Sequence, residues 1–202
     1  MTLEAPLYML RHGETAWNTE RRMQGTKDSS LTERGRAQAL AMGRTLRAEL
    51  ARTPGPTIFL RSPLGRVRET SEIIGRELGL DPSQWRDDQR LVELGYGHWE
   101  GLSWKEIEVT HPTALADWRA DPHGYCPRGG ETHADLRRRS AEMLAEIIAS
   151  NTRTVVVGHG VSGAVLRGLN LGLDAKSMFV LEKPQDAFFR LLAGVEEKIV
   201  CN

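Results

Sequence analysis

The chain has 202 residues, 40% of them hydrophobic and 27% charged, proportions that suit one soluble domain with a sizeable core. Its 27 Lys and Arg balance its 27 Asp and Glu, which excludes the basic excess needed for broad binding to nucleic acid or to an anionic membrane, while leaving room for a locally basic pocket. Cys126 and Cys201 show no CxxC or Cys/His metal spacing, and no run approaches the roughly 18 apolar residues of a membrane span, so a cytoplasmic chain with two free thiols is expected.

In chain order, Leu7–Leu10 is a short apolar run that ends on Arg11-His12-Gly13. Thr32 is placed to cap a helix running to about Leu50. A second apolar run, Thr57–Leu60, ends on Arg61-Ser62-Pro63; Ser62 as N-cap, Pro63 as first helical residue and Gly79 as stop predict the next helix. The stretch from about Leu94 to Gly130 holds three of the five tryptophans (Trp99, Trp104, Trp118) and reads as a lid-like insertion over one end of a sheet. Within it, Ser103 and Glu106 fit a capping box. Thr132 begins a helix whose Leu136, Met143, Leu144, Ile147 and Ile148 share one face. Thr154–Val157 is a third apolar run, ending on Gly158-His159-Gly160, and a helix follows from Gly160 to near Gly172. The apolar stretch around Met178–Leu181 reads equally as the interface of a homodimer or as a core strand. Phe188–Leu192 and Lys198–Cys201 are further strand candidates. Short continuous apolar strands alternating with helices predict an α/β three-layer sandwich, with a mostly parallel central sheet covered by helices on both faces.

In open α/β sheets ligands bind beyond the carboxyl ends of the strands. That rule brings Arg11 and His12, Arg61 with Arg66 close behind, and His159 toward one crevice. Any one of these residues alone reads as structural; together they describe an anion pocket. Arginine offers a planar, permanently charged fork matched to phosphate oxygens, and Gly13 and Gly160 let backbone N–H groups come close. The N-terminus of the helix at Gly160 favours negative charge. Flanking arginines disfavour an imidazolium, keeping a ring nitrogen available to attack phosphorus. A leaving alkoxide needs a proton, for which Glu14, Glu93 and Glu100 are candidates; Glu93, after Leu91-Val92 and before Gly95-Tyr96-Gly97, leads without settling the choice. No His-x₃-His or HExxH spacing supports a metal, and His98, His111, His123 and His133 read as loop or cap-lining residues.

Five blocks occur in an order that resembles the histidine phosphatase superfamily, the phosphoglycerate mutase-like family. They are Arg11-His12-Gly13-Glu14-Thr15-Ala16-Trp17-Asn18; Gln24-Gly25 with Leu31-Thr32-Glu33-Arg34-Gly35; Ser62-Pro63-Leu64-Gly65-Arg66; Leu91-Val92-Glu93 with Gly97-His98-Trp99-Glu100-Gly101; and Val155-Val156-Val157-Gly158-His159-Gly160. The resemblance implies that His12 is phosphorylated, that Arg11, Arg66 and His159 form the phosphate pocket with Asn18, Thr15, Gln24, Gly25 and Gly160, and that Glu93 is the proton donor. It implies no metal and no cofactor, and a structural role for Trp99-Glu100-Gly101. Mutases of the family carry an extra segment between the acid and the second histidine. The short span here favours water as acceptor, and hence a phosphatase acting on a small-molecule phosphate ester. Mutase-type phosphotransfer is the alternative. A non-catalytic phospholigand-binding module is remote, because His12, Glu93 and His159 are all present. Specificity is expected from this insertion, including Tyr96, Trp99, Trp104 and Trp118, although each reads at least as well as ordinary packing of a lid.

Overall fold

The computed structural model describes residues 3–202. It contains strands β1 (Leu7–Arg11), β2 (Ile58–Arg61), β3 (Trp85–Asp87), β4 (Thr154–Gly158), β5 (Ala187–Leu192) and β6 (Val195–Val200). They form one sheet in the order β3-β2-β4-β1-β5-β6. The first four run parallel, and β5 and β6 close one side as an antiparallel hairpin. The hairpin turns at Ala193 and Gly194, both at positive φ (51° and 74°), the pairing a two-residue type I′ turn requires.

Alternation along the strands divides the core between two faces. Tyr8, Leu10, Val155 and Val157 pack under helices α2 (Glu33–Arg52) and α3 (Gly65–Leu78). Leu7, Met9, Leu60 and Val156 pack under α6 (His133–Ser150) and α7 (Gly160–Asn170). The predicted three-layer sandwich is the observed one. β3 was absent from the sequence expectation: it is three residues long with only Trp85 buried, too short to show a pattern.

Helix starts follow the predicted caps at Thr32, Ser103 and Thr132, each accepting a bond from a backbone N–H in the first turn. Ser62 does not cap. α3 begins at Gly65 behind Leu64, which makes no side-chain cap, and the Ser62 hydroxyl faces His159 instead. The Met178–Leu181 region is not a strand. It forms the end of α8 (Ala175–Val180), with Leu181 as the C-cap and Met178 buried against Gly168, where a Cβ would come within 2.3 Å of Met178 Cγ. Among the described residues no helix is long and apolar enough to cross a membrane.

Residues 94–130 carry two short helices, α4 (Trp104–Thr110) and α5 (Pro112–Ala120). They build a small core of their own around Trp99, Ile107 and Leu115, in which Trp99 stacks on Tyr125 at 5.6 Å. Thr32 both caps α2 and donates to Glu14 Oε1 at 2.9 Å, tying that helix to the loop after β1. Thr32→Ala is therefore expected to lower the unfolding free energy by about 1 kcal/mol in urea titrations, while Thr32→Ser retains most of it.

Candidate active site

Strand register assembles the site. Arg11 pairs with Gly158 across β1 and β4, and Arg61 pairs with Val157 across β2 and β4. The chain leaves each strand in step with its neighbour: His12 N–H donates to Gly158 O at 3.0 Å, and Ser62 N–H to Val157 O at 3.1 Å. His12 and His159 thus lie side by side, with ring centroids 5.3 Å apart, and Ser62 Oγ sits 2.8 Å from His159 Nε2. Both imidazoles are buried. His12 Nδ1 is 2.8 Å from Gly13 O; a carbonyl only accepts, so Nδ1 carries the proton and the neutral ring keeps its lone pair on Nε2. Burial, reinforced by Arg11 and Arg66, holds the His12 pKa well below its usual value. Burial and Arg66, with smaller effects from His12 and Arg11, do the same for His159.

The two arginines are held by their tips. Arg66, first turn of α3, is fully buried. Its Nη2 donates to Gly25 O at 2.8 Å, and its Nη1 to Lys27 O and to Asp28 Oδ1 at 2.9 Å. Arg11 donates through Nη1 to Lys183 O. Burial lowers the pKa of both, and each acts on His12 and His159. Among the described residues, Arg11 Nε, Arg66 Nε and His159 Nδ1 are buried with no hydrogen-bond partner. Buried polar nitrogens are normally paired, so these three, on residues beside His12, are free to meet an acceptor such as an anion's oxygen. Arg61 takes no part, being paired with Asp87 at 2.6 Å.

Of the three acid candidates, only Glu93 belongs to this cluster. Its Oε1 accepts from Leu94 N and Ser162 N at 2.9 and 2.8 Å, and its Oε2 from Val161 N at 3.0 Å. The first-turn N–H groups of α7, expected to face the bound anion, therefore hold Glu93 at its edge. Glu100 accepts from Thr26 N and Tyr96 N at 2.9 and 3.0 Å and ties two loops together. Glu14 faces Thr32 and Arg34 at the start of α2.

The remaining expected residues support the walls. Thr15 and Asn18 form a capping box on the four-residue helix α1 (Ala16–Thr19). Gln24 is buried, with Ser29 Oγ 3.4 Å from its Oε1. Gly25, at φ 54°, presents its carbonyl to Arg66, and a Cβ there would lie 2.0 Å from Glu100 Oε1. A Cβ on Gly160 would come within 3.4 Å of the Arg11 guanidinium. Trp99, expected to help set specificity, is wholly buried in the core of residues 94–130. His98 pairs with His111, and His123 with His133, away from the two central histidines. Among the described residues no group of three or more His, Cys, Asp or Glu is arranged to hold a metal.

Four residues support the site in ways the sequence analysis did not anticipate. Ser62 contacts His159, Asp28 grips Arg66, and Gln185 reaches His12 O. Arg139 of α6 donates to the carbonyls of Arg90, Val92 and Glu93 while paired to Glu131 at 2.7 Å. Each partner is distant in sequence, so only the folded chain reveals the pairing.

Two neutral histidines, two guanidinium groups and a tethered carboxylate beyond the ends of parallel strands define a phosphate-handling α/β protein. A family model described as histidine phosphatase superfamily (branch 1) matches residues 7–192. The chain is 34% identical over 198 residues to a glucosyl-3-phosphoglycerate phosphatase of Mycobacterium tuberculosis, covering 93% of this chain and 85% of that one. It is 37% identical over 180 residues to a Klebsiella pneumoniae protein named "probable phosphoglycerate mutase GpmB", covering 84% and 76%. Among solved structures, mycobacterial glucosyl-3-phosphoglycerate phosphatase in complex with VO3 superposes with a TM-score of 0.78 at 32% identity, covering 98% of both chains. The alpha-ribazole phosphatase of Shigella flexneri, at 21% identity and a TM-score of 0.82 over 98% of this chain and 96% of that one, shares the fold. The chain belongs to the histidine phosphatase superfamily.

The buried histidines link proton binding to stability. His12 and His159 sit below their unfolded value near 6.5, and burial, then His123, lowers His133 to about 4. Below pH about 6.5 the unfolded chain takes up protons that the folded chain refuses, so stability is full above that pH and is lost as pH falls. Urea unfolding at pH 7.5 and pH 5 should show the decline, and His133→Phe should flatten it; stability constant between these pH values would contradict the assignment.

Proposed function

We propose that the chain is a phosphomonoesterase that transfers the phosphoryl group of a small phosphate ester to Nε2 of His12 and then to water. The observation that carries this reading is that three residues beside His12, namely Arg11, Arg66 and His159, each keep an unpaired buried nitrogen, while the His12 tautomer leaves Nε2 free. The Nε2 lone pair attacks phosphorus as the P–O bond to the leaving group breaks. Arg11 Nε and Arg66 Nε neutralise charge on the equatorial oxygens. The Ser62 hydroxyl accepts from Leu64 N at 3.4 Å and can donate to His159 Nε2, which leaves an Nδ1–H on His159 to donate to the phosphoryl group. Asn18 donates its side-chain amide, and Thr15, Gln24, Gly25 and Gly160 shape the surrounding walls.

Glu93 protonates the departing oxygen, then takes a proton from the water that attacks phosphorus and releases His12. Oε2 accepts a single N–H, so it keeps an edge on which a proton can be carried. Tyr96 stands next to this acid, and nearness to Glu93 adds to the upward shift that burial imposes on its hydroxyl. With Trp104 and Trp118 it belongs to residues 94–130, which we read as a lid that selects the alcohol part of the ester. Similarity to glucosyl-3-phosphoglycerate phosphatase supports hydrolysis of a phosphorylated metabolite; that it takes place in the cytoplasm and without a metal is part of the proposal.

His12→Ala should lower turnover at least a thousandfold and leave the unfolding transition in place. Glu93→Gln should slow alkyl phosphates far more than p-nitrophenyl phosphate, whose leaving group needs no proton; equal losses on both would remove Glu93 from the acid role. The acceptor is tested with 3-phosphoglycerate, with and without a bisphosphoglycerate primer. Release of inorganic phosphate independent of primer is expected, and primer-dependent mutase turnover exceeding it would overturn the phosphatase reading.

A further inference from the structure

Asn18 and Gln185 meet beside the end of β1, and backbone atoms fix the orientation of both amides. A side-chain amide has an oxygen that only accepts and a nitrogen that only donates. The terminal atom of Asn18 that lies 3.1 Å from the Thr15 N–H must therefore be Oδ1. The terminal atom of Gln185 that lies 3.1 Å from the His12 carbonyl must be Nε2. That same Nε2 is 3.1 Å from Asn18 Oδ1. One nitrogen thus joins the backbone of His12 to the side chain of Asn18. With two donors on its oxygen, Asn18 keeps only its NH₂ group for a ligand, and those donors also polarise the amide toward stronger donation.

We infer that Gln185 is a positioning residue that, as a second donor to Oδ1 beside the Thr15 N–H, holds the NH₂ face of Asn18 toward the transferred phosphate. A reversed Asn18 amide would turn lone pairs toward an oxyanion, converting attraction to repulsion. Gln185 sits in the link between α8 and β5, whose Lys183 carbonyl receives Arg11 and whose Glu182 carbonyl receives Arg167 at 2.7 Å. The same short segment therefore holds a phosphate arginine, the backbone of His12 and the orientation of Asn18. The inference rests on the reading that Asn18 donates to the phosphoryl group.

The test is a double-mutant cycle read as affinity for inorganic phosphate by titration calorimetry, on wild type, Asn18→Ala, Gln185→Leu and the double variant. Gln185→Met is a second neutral replacement, so a folding defect in one variant does not decide the result. Asn18→Ala is expected to weaken phosphate binding about tenfold and Gln185→Leu about fivefold, with the double variant no weaker than Asn18→Ala. A structural role for Gln185 would instead lower the unfolding midpoint and multiply the two losses. Multiplied losses overturn the inference, as does wild-type affinity in both Gln185 variants while Asn18→Ala weakens binding. Wild-type affinity in Asn18→Ala itself overturns the reading of Asn18, and the inference with it.

Discussion

Two guanidinium groups buried beside two histidines impose the constraint that the rest of the site answers. Removing such charges from water costs several kcal/mol each unless partners replace the lost hydration. The replacements here hold mostly the guanidinium tips: Lys183 O for Arg11, and Gly25 O, Lys27 O and Asp28 for Arg66. Their Nε atoms stay unpaired, as does His159 Nδ1. On the proposed reading a phosphoryl group would supply the missing acceptors, and a ligand carrying more charge would satisfy them better. Burial, reinforced by the same arginines, holds the His12 pKa well below its usual value, which suits the nucleophilic role proposed for it.

The sheet supplies the precision that this arrangement needs. Because β4 lies between β1 and β2, the residues that follow these three strands are neighbours before any side chain is chosen. A one-residue slip between β1 and β4 would send His12 and His159 to opposite faces. The pairing of Arg11 with Gly158 is set within almost wholly buried strands, where such a slip would move Leu7 or Val156 to the wrong layer. Glu93 reaches the cluster by another route, since backbone N–H groups of α7 grip its carboxylate and Arg139 grips its carbonyl.

What the sequence shows and what it hides divide along the range of the interactions. β1, β2 and β4 are legible because each is a short apolar run that stops at charged residues. Thr32, Ser103 and Thr132 are legible because a cap is a contact within three residues. The start of α3 was misplaced because the Ser62 hydroxyl, a good cap in isolation, is drawn to His159, which is 97 positions away. Asp28, Arg139 and Gln185 carry no periodicity, and they matter only through partners that tertiary structure delivers. His12, Arg66 and His159 stood out because they follow strand ends. Trp99 is open to two readings, a structural one from the resemblance and a specificity one from its loop-rich setting, and its burial favours the structural one.

The central claim is that His12 attacks through Nε2 because Gly13 O holds the proton on Nδ1. The direct measurement is ³¹P–¹⁵N NMR of the phosphoenzyme trapped by rapid alkaline quench, which shows the nitrogen to which phosphorus is bonded. The account predicts one phosphohistidine, at His12, bonded through Nε2. Phosphorus on Nδ1 of His12, or on His159, would contradict it.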